Sequence, residues 1–188
     1  MSSRDAILTA LRRSAHPSAA LPEPPATTAY ADRERQFAET LASVGGTFVR
    51  LASIADLVAP NAKKIVSLVP GAGKSTIDLA TLEHPHELED ADLAILPGEF
   101  GVAENAAVWV PGRLLGPHRA IFVIAQHLIL VVPAGEIVDT MHQACERIRS
   151  DRSGFGVFLS GPSKTADIEQ SLVLGAHGAR TCAVVVVG

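Results

Sequence analysis

Two hydrophobic patterns alternate along the chain. Short, nearly continuous runs of Val, Ile, Leu and Ala are typical of strands buried on both faces of a parallel sheet. Segments with apolar residues every three or four positions indicate amphipathic helices. The pattern predicts strands over 64–69, 92–96, 102–110, 120–132 (one long strand or two), 154–159 and 182–187. It predicts helices over 3–14, 32–44, 136–150 and 167–174. This order indicates an α/β fold, a mostly parallel sheet with flanking helices.

A Pro-rich segment separates the first predicted helix from the rest. Residues 16–28 read HPSAALPEPPATT. Proline fixes φ and lacks an N–H donor, so this segment cannot be a helix or a central strand. We therefore divide the chain into an N-terminal helix and linker, 1–28, and an α/β domain, 29–188.

Composition narrows the functional classes. Hydrophobic residues make up 47% of the 188 residues and aromatic residues 4%, so the core is mainly aliphatic. A net charge of −4 gives no reason to expect a nucleic-acid partner. The longest apolar stretch, 120–132, is shorter than the roughly 20 residues of a membrane span. The charged N-terminus is unlike a secretory leader, so we expect a cytoplasmic protein without a membrane span.

The segment SLVPGAGKST, residues 67–76, ends like a nucleotide-binding P-loop. The motif needs a glycine five positions before Gly73, where this chain has Leu68. That glycine lets consecutive N–H groups point at the phosphates. The segment is therefore interpreted as a strand followed by a turn, and not as a nucleotide site.

A polar loop follows the predicted strand 154–159. Ligands of open α/β sheets bind at the carboxyl ends of strands, and a following helix N-terminus offers free N–H groups to an anion. The loop is a candidate site for a carboxylate or phosphate, or else an ordinary capped turn with no ligand. Its candidate ligand-binding residues are Ser160, Gly161, Ser163, Lys164 and Thr165.

Three stretches resemble a known family. SGPSKTADIEQSLVLGAHG, ADLAILPGEFGVAENAAVWV and RAIFVIAQHLILVVPAGEIV are similar to the lactate-utilisation protein C family, whose members carry a LUD domain. The resemblance covers roughly the last hundred residues and is most specific in the first of these stretches.

The resemblance implies a fold like that of the ribose-phosphate isomerase, glucosamine-phosphate deaminase and CoA-transferase superfamily. It also implies a role in oxidising L-lactate to pyruvate beside iron–sulfur oxidoreductase subunits. An iron–sulfur cluster is therefore expected on a partner. No cofactor or metal is expected on this chain, whose two cysteines are fewer than the about four that a cluster takes.

The family pattern Glu-Thr/Asn-Gly-Thr appears here as Glu104-Asn105-Ala106-Ala107. The two alanines remove a flexible backbone position and a hydroxyl, so substrate or activity can differ from that of typical members, or be lost. We consider Glu104 a candidate catalytic carboxylate that faces a cleft, or else pairs with an arginine or a backbone donor. Asn105 is its candidate polar neighbour, if the chain turns there.

Four histidines and one arginine complete the candidates. His177 is either a proton-transfer group or a histidine at the end of the predicted helix. That helix would hold His177 about 12–15 Å from Ser160, too far to touch one ligand in the same subunit, and a homo-oligomer could reunite them. Arg119 is a candidate carboxylate ligand or a surface charge. His127 is interpreted as a satisfied core or strand-end histidine, and His84 and His86 as surface residues.

Two functional hypotheses follow. In the first, the chain is a component of a lactate-oxidising system that binds a small carboxylate or other anion, without performing the redox step alone. In the second, it is an independent isomerase or acyl/CoA-transferase-like enzyme that uses Glu104 as base or nucleophile. Turnover by the isolated chain distinguishes the two.

Overall fold

The computed structural model of the chain describes residues 2–14, 20, 22, 28–59, 62–149, 154–166 and 171–188. These residues contain four α-helices: α1 (Ser3–Arg13), α2 (Arg33–Ser43), α3 (Ile121–Ile124) and α4 (Met141–Arg149). The strands are β1 (Thr47–Leu51), β2 (Ile65–Ser67), β3 (Leu93–Pro97), β4 (Phe100–Val102), β5 (Ala107–Pro111), β6 (His127–Pro133), β7 (Ile137–Val138), β8 (Gly156–Leu159), β9 (Lys164–Thr165), β10 (Val173–Leu174) and β11 (Thr181–Val187).

A five-stranded parallel sheet forms the centre of the domain. Its order is β1-β11-β6-β3-β2, and every neighbouring pair is parallel. Strands β6 and β11 are the longest, and they pair from Thr181 opposite His127 to Val187 opposite Pro133. The predicted α/β class with a mainly parallel sheet flanked by helices is confirmed.

A second, four-stranded sheet has the order β7-β4-β5-β8. Strands β4 and β5 form an antiparallel hairpin, so the prediction of one strand over 102–110 is wrong. Strand β8 pairs antiparallel with β5 and does not join the central sheet. The antiparallel direction of β4 and β5 follows from the tight turn that joins them, since antiparallel neighbours need only such a turn between them.

The central sheet buries different clusters on its two faces. One face packs against α2, α3 and the second sheet, and its core includes Phe37, Leu41, Leu96, Leu130 and Val184. The other face carries Leu93, Ile95, Ile129, Val131 and Val185 and packs against the segments that follow β1 and β2. Helix α4 contacts the second sheet, where Ala144 is fully buried in a third cluster.

Three further predicted elements differ from the structure. The apolar run 120–132 divides into α3 and β6, and 136–150 divides into β7 and α4. The predicted helix over 167–174 falls partly outside the described residues, because 167–170 are not described. Its described end is not helical, since Val173 and Leu174 pair antiparallel with Thr165 and Lys164.

The N-terminal helices fit their predictions. Asp32 caps α2 by accepting the Arg35 N–H at 2.9 Å, and Gly45 follows the helix with a φ of 80°. Helix α1 begins at a capping box in which Ser2 and Asp5 bond each other's backbone N–H. Most of the predicted linker over 16–28 lies outside the described residues.

The GKST segment forms no phosphate-binding loop. The Ser75 hydroxyl accepts the Ser67 N–H at 3.0 Å, and the Thr76 hydroxyl accepts the Ile65 N–H at 2.7 Å, so both are used to hold β2. Within the described parts of the chain, every helix is too short or too polar to cross a bilayer.

Candidate functional site

The turn between β4 and β5 brings Glu104 and Asn105 to one place. Asn105 Oδ1 accepts the Ala107 N–H at 3.1 Å, a local side-chain bond typical of turns. Ala106 has a φ of 54°, in the left-handed region that closes such a turn. Both polar residues therefore lie at the tip of a hairpin, as the candidate site requires.

Glu104 is exposed, and its carboxylate binds a helix terminus. Glu104 Oε2 accepts the backbone N–H of Met141, the first residue of α4, at 2.8 Å. A carboxylate is favoured there, because the first N–H groups of a helix have no partner within it. The sequence left three alternatives for Glu104, namely a cleft, an arginine partner or a backbone donor, and the structure shows the backbone donor.

The loop that follows β8 contacts this hairpin tip. Ser160 Oγ donates a hydrogen bond to the Asn105 carbonyl at 2.7 Å. The Ser163 N–H donates to the Ala179 carbonyl at 2.8 Å, and the Ser163 carbonyl accepts the Gly175 N–H at 3.0 Å. The segment 175–179 therefore folds back onto the loop.

This fold-back changes the position of His177. The predicted separation of about 12–15 Å from Ser160 required a helix up to residue 174, and Val173–Leu174 is a strand instead. His177 is exposed between Gly175 and Ala179, both bonded to Ser163. A second subunit is not needed to bring His177 to the loop.

These residues lie at the amino ends of the central strands. The Arg180 N–H, one residue before β11, donates to the carbonyl of Gln126, one residue before β6, at 2.8 Å. A methyl group placed on Gly45, just before β1, would lie 3.9 Å from Lys164 Cε. The expectation that this loop lies at the carboxyl ends of the central strands is therefore wrong, although it does follow the carboxyl end of β8. We call this group the amino-edge cluster: Glu104, Asn105, Ser160, Gly161, Ser163, Lys164 and His177.

Thr165 occupies a different position from the one predicted. It lies in β9 opposite Val173, and not at the cap of a helix. An anion site at this loop consequently depends on the side chains and turns of the amino-edge cluster, because the described residues place no helix N-terminus after Thr165.

Cys182 lies beneath the loop with 2% of its surface exposed. Burial raises the pKa of its thiol to about 11, although the Gly161 N–H and the charge of Lys164 both favour the thiolate. Cys182 is thus a neutral, buried side chain, and the charged groups of the cluster are Lys164 and Glu104.

Arg119 is not part of the cluster. Its guanidinium carbon lies 5.1 Å from the centre of the Phe155 ring, at the opposite end of the β5–β8 pair, where Pro111 faces Gly156. His84 begins a 3-10 helix, Pro85–Leu88, whose residue Glu87 bonds the His84 N–H at 2.8 Å. No group of three or more metal-ligating side chains occurs among the residues that the structure describes.

A separate groove lies on the other face of the central sheet, opposite to α2, α3 and the second sheet. It has a volume of about 380 Å³ and is lined mainly by aliphatic side chains. His127 and Thr181 lie at its edge, with His127 Nδ1 2.8 Å from Thr181 Oγ1. His127 begins β6, in agreement with its interpretation as a strand-end residue.

Sequence reasoning missed Asp139, the most enclosed carboxylate described. Its side chain is 1% exposed and accepts from the Tyr30 N–H and Arg33 Nε, both at 2.9 Å, and from Gln143 at 3.2 Å. The hydrogen bond from Arg33 is the main reason why the pKa of this carboxyl is lowered, against the effect of burial. In the sequence, Asp139 is only an acidic residue just before a helix. Exposed carboxylates occupy the same kind of position, so the sequence gives no sign that this one is buried.

Known proteins resemble this chain in sequence. Residues 54–187 match the model of the LUD domain family. A lactate utilization protein C from Exiguobacterium sp. is 31% identical over 134 residues, which cover 66% of this chain and 57% of that protein. One from Shouchella clausii is 35% identical over 53% of this chain and 46% of that protein. These matches span about half of the relatives' length.

Two comparisons cover more of the chain. A lactate utilization protein C from Deinococcus radiodurans is 30% identical over 97% of this chain and 94% of that protein. The crystal structure of a DUF162 family protein from Deinococcus radiodurans covers 83% of this chain and 96% of its own, with a TM-score of 0.59 and 19% identity, and so agrees in fold. The sequence matches go further, and show that the chain belongs to the LUD domain family.

Proposed function

We propose that this protein is a component of a system that oxidises L-lactate to pyruvate, and that its amino-edge cluster binds a small carboxylate. The observation that carries the proposal is the match to the lactate utilization protein C of Deinococcus radiodurans, which extends over nearly the whole of both chains. The partner in this proposal is an iron–sulfur protein. It would accept the electrons that lactate releases, because the two cysteines of this chain are too few for a cluster.

The charges of the amino-edge cluster support carboxylate binding. Lys164 is exposed, and within the described residues it has no carboxylate partner. The carboxylate of Glu104 already accepts a hydrogen bond from the first N–H of α4. Ser163 places a hydroxyl group in the same loop, whereas the Ser160 hydroxyl already donates to the Asn105 carbonyl and holds the loop in place. A carboxylate can therefore pair with Lys164 and accept hydrogen bonds from the loop.

Calorimetric titration of the full chain with L-lactate, pyruvate and phosphate tests the site. A charge-assisted bond contributes about 1.5–3 kcal/mol, so Lys164→Ala should weaken carboxylate binding about ten- to a hundredfold. Its melting temperature should stay unchanged, because an exposed lysine contributes little to folding. Lys74→Ala is the matched control, an exposed lysine in the GKST segment. Equal binding by Lys164→Ala and wild type would remove the site from the proposal.

A second experiment tests the role in a system. The chain, expressed with the proteins encoded beside it, should copurify with an iron–sulfur protein and sustain lactate oxidation with an electron acceptor. The chain alone should show no lactate turnover. Isomerase or acyl-transfer turnover by the isolated chain, abolished by Glu104→Gln, would instead favour an independent enzyme.

A further inference from the structure

Helix α1 presents an apolar surface without a partner. Its capping box specifies the helix locally, yet none of its residues is buried. Ile7 and Leu11, one turn apart on the same side, are each 60% exposed. An amphipathic helix gains most of its stability by packing its apolar side. The exposed apolar side of α1 is therefore suited to packing against another apolar surface.

The groove on the central sheet is an apolar surface that lacks a full cover. Val49, Leu93, Ile129 and Val185 line its floor, and Val58 at its edge is 88% exposed. Parallel sheets are normally covered on both faces. On this face the described chain supplies short segments and no α-helix.

We propose that α1 docks in this groove of its own chain, with Ile7 and Leu11 against the aliphatic floor and Val58. The sizes agree. An emptied leucine site is a cavity of about 150 Å³. The groove of about 380 Å³ thus accepts two or three aliphatic side chains. This proposal does not depend on the proposed function.

The connection permits docking within one chain. Glu34, in the first turn of α2, pairs with Arg50 of β1, the strand at one edge of the sheet. Val49 and Leu51, on the opposite face of β1, line the groove. Residues 14–29 join α1 to Tyr30, whose N–H is bonded to Asp139, and they reach up to about 50 Å when extended. That reach is enough to pass around one edge strand. A tether of this kind raises the effective concentration of α1 to the millimolar range.

The charges agree with this position. Helix α1 carries Arg4, Arg12 and Arg13 against one acidic residue, whereas the whole chain has a net charge of −4. Asp56 lies at the edge of the groove. Docking would bring a basic helix to an acidic body.

Disulfide trapping tests the proposal in the full chain. Leu11→Cys and Val58→Cys are combined with Cys145→Ser, which removes the exposed native thiol, while Cys182 stays buried. At low protein concentration this pair should oxidise within one chain at least ten times faster than the control pair Thr9→Cys and Val58→Cys. Thr9 lies about 200° around the helix from Ile7. Equal rates for the two pairs, or covalent dimers as the main product, would overturn docking within the chain.

A second measurement needs no cysteine. Ile7→Glu with Leu11→Glu should leave the body folded, because neither side chain is buried, and should increase binding of a hydrophobic dye to the groove. Thr9→Glu, about 200° around the helix from Ile7, is the control and should bind dye like the wild type. Unchanged dye binding by the Ile7/Leu11 variant would show that α1 does not cover the groove.

Discussion

Ala106 occupies a backbone conformation that favours glycine. Its φ is 54°, and it stands where the family pattern resembled by this sequence has glycine. A left-handed alanine costs roughly 1–2 kcal/mol. Ala106 is also fully buried, and its methyl group returns about 0.8 kcal/mol by burial. The departure from the family pattern thus leaves the turn in place at a modest cost in stability.

A matched pair of substitutions tests this strain. Ala106→Gly should change the free energy of unfolding by less than about 0.5 kcal/mol, because relief of strain offsets the lost methyl group and the added chain entropy. Ala103→Gly removes an equally buried methyl group in the same turn, at a residue without a positive φ, and should cost about 1.5 kcal/mol. Urea unfolding measures both. Equal losses would show that Ala106 is unstrained.

Asp139 gives the fold a defined pH dependence. The pKa of its carboxyl is lowered in the folded state, mainly by Arg33. Its contribution to stability is therefore present above the unfolded-state pKa of about 3.9 and is lost as the pH falls through the lower folded-state value.

Asp139→Asn should cost about 1–3 kcal/mol at pH 7, because it weakens the bonds to Arg33 and Tyr30. The difference from wild type should shrink below about pH 4, where the unfolded-state carboxylate takes up a proton while the folded-state carboxylate is still ionised. Thermal unfolding between pH 7 and pH 3 measures this. Glu39→Gln is the control, since its ion pair with Arg35 is exposed and contributes little. A difference independent of pH would assign the loss to packing.

At the scale of elements, the first helix, α1, contributes nothing to the buried core. No residue of α1 is buried. Deleting residues 1–28 should therefore leave one cooperative thermal transition, with a melting temperature lowered by a few degrees if α1 covers the sheet groove. Calorimetry of the truncated and full chains measures this. Loss of soluble, folded protein would mean that the segment is part of the core.

The elements that sequence reasoning missed share a physical cause. A continuous apolar run does not reveal a turn within it. The turn over 103–106 contains neither Gly nor Pro and depends on the Asn105 side chain. In the run 120–132, the short helix α3 precedes β6 without any helix-breaking residue. Pairing between β9 and β10 depends on tertiary context, which outweighs local propensity.

At the scale of the whole molecule, the sequence predicted the class of fold but not its division into two sheets. The buried parallel strands were visible as Val- and Leu-rich runs, because both of their faces are covered. The roles of Ser160 and Lys164 as ligands stay predictions. Their position at the amino ends of the strands could not be predicted, because it depends on the pairing of β8 with the hairpin.

Strand β11 should be indispensable to the whole molecule. It lies between β1 and β6 and pairs with both of them along its length. Removing residues 181–188 separates β1 from the sheet and uncovers an edge of β6. This truncated chain should lose its cooperative unfolding transition, as measured by circular dichroism. The deletion of 1–28 is the control, and a cooperative transition after removal of β11 would contradict the topology.

The central place of β11 also determines when the sheet can form. Thr47 in β1 pairs with Ala183, so the first strand cannot join the sheet until the last one has been synthesised. Pairing between strands so far apart in sequence carries a large loop-closure entropy, and folding of such topologies is slow, on the order of milliseconds to seconds. Throughout translation, β1 and β6 would each have an unpaired, Val- and Leu-rich edge that can associate with other chains. A nascent chain of this topology therefore needs protection from aggregation until residue 187 has left the ribosome.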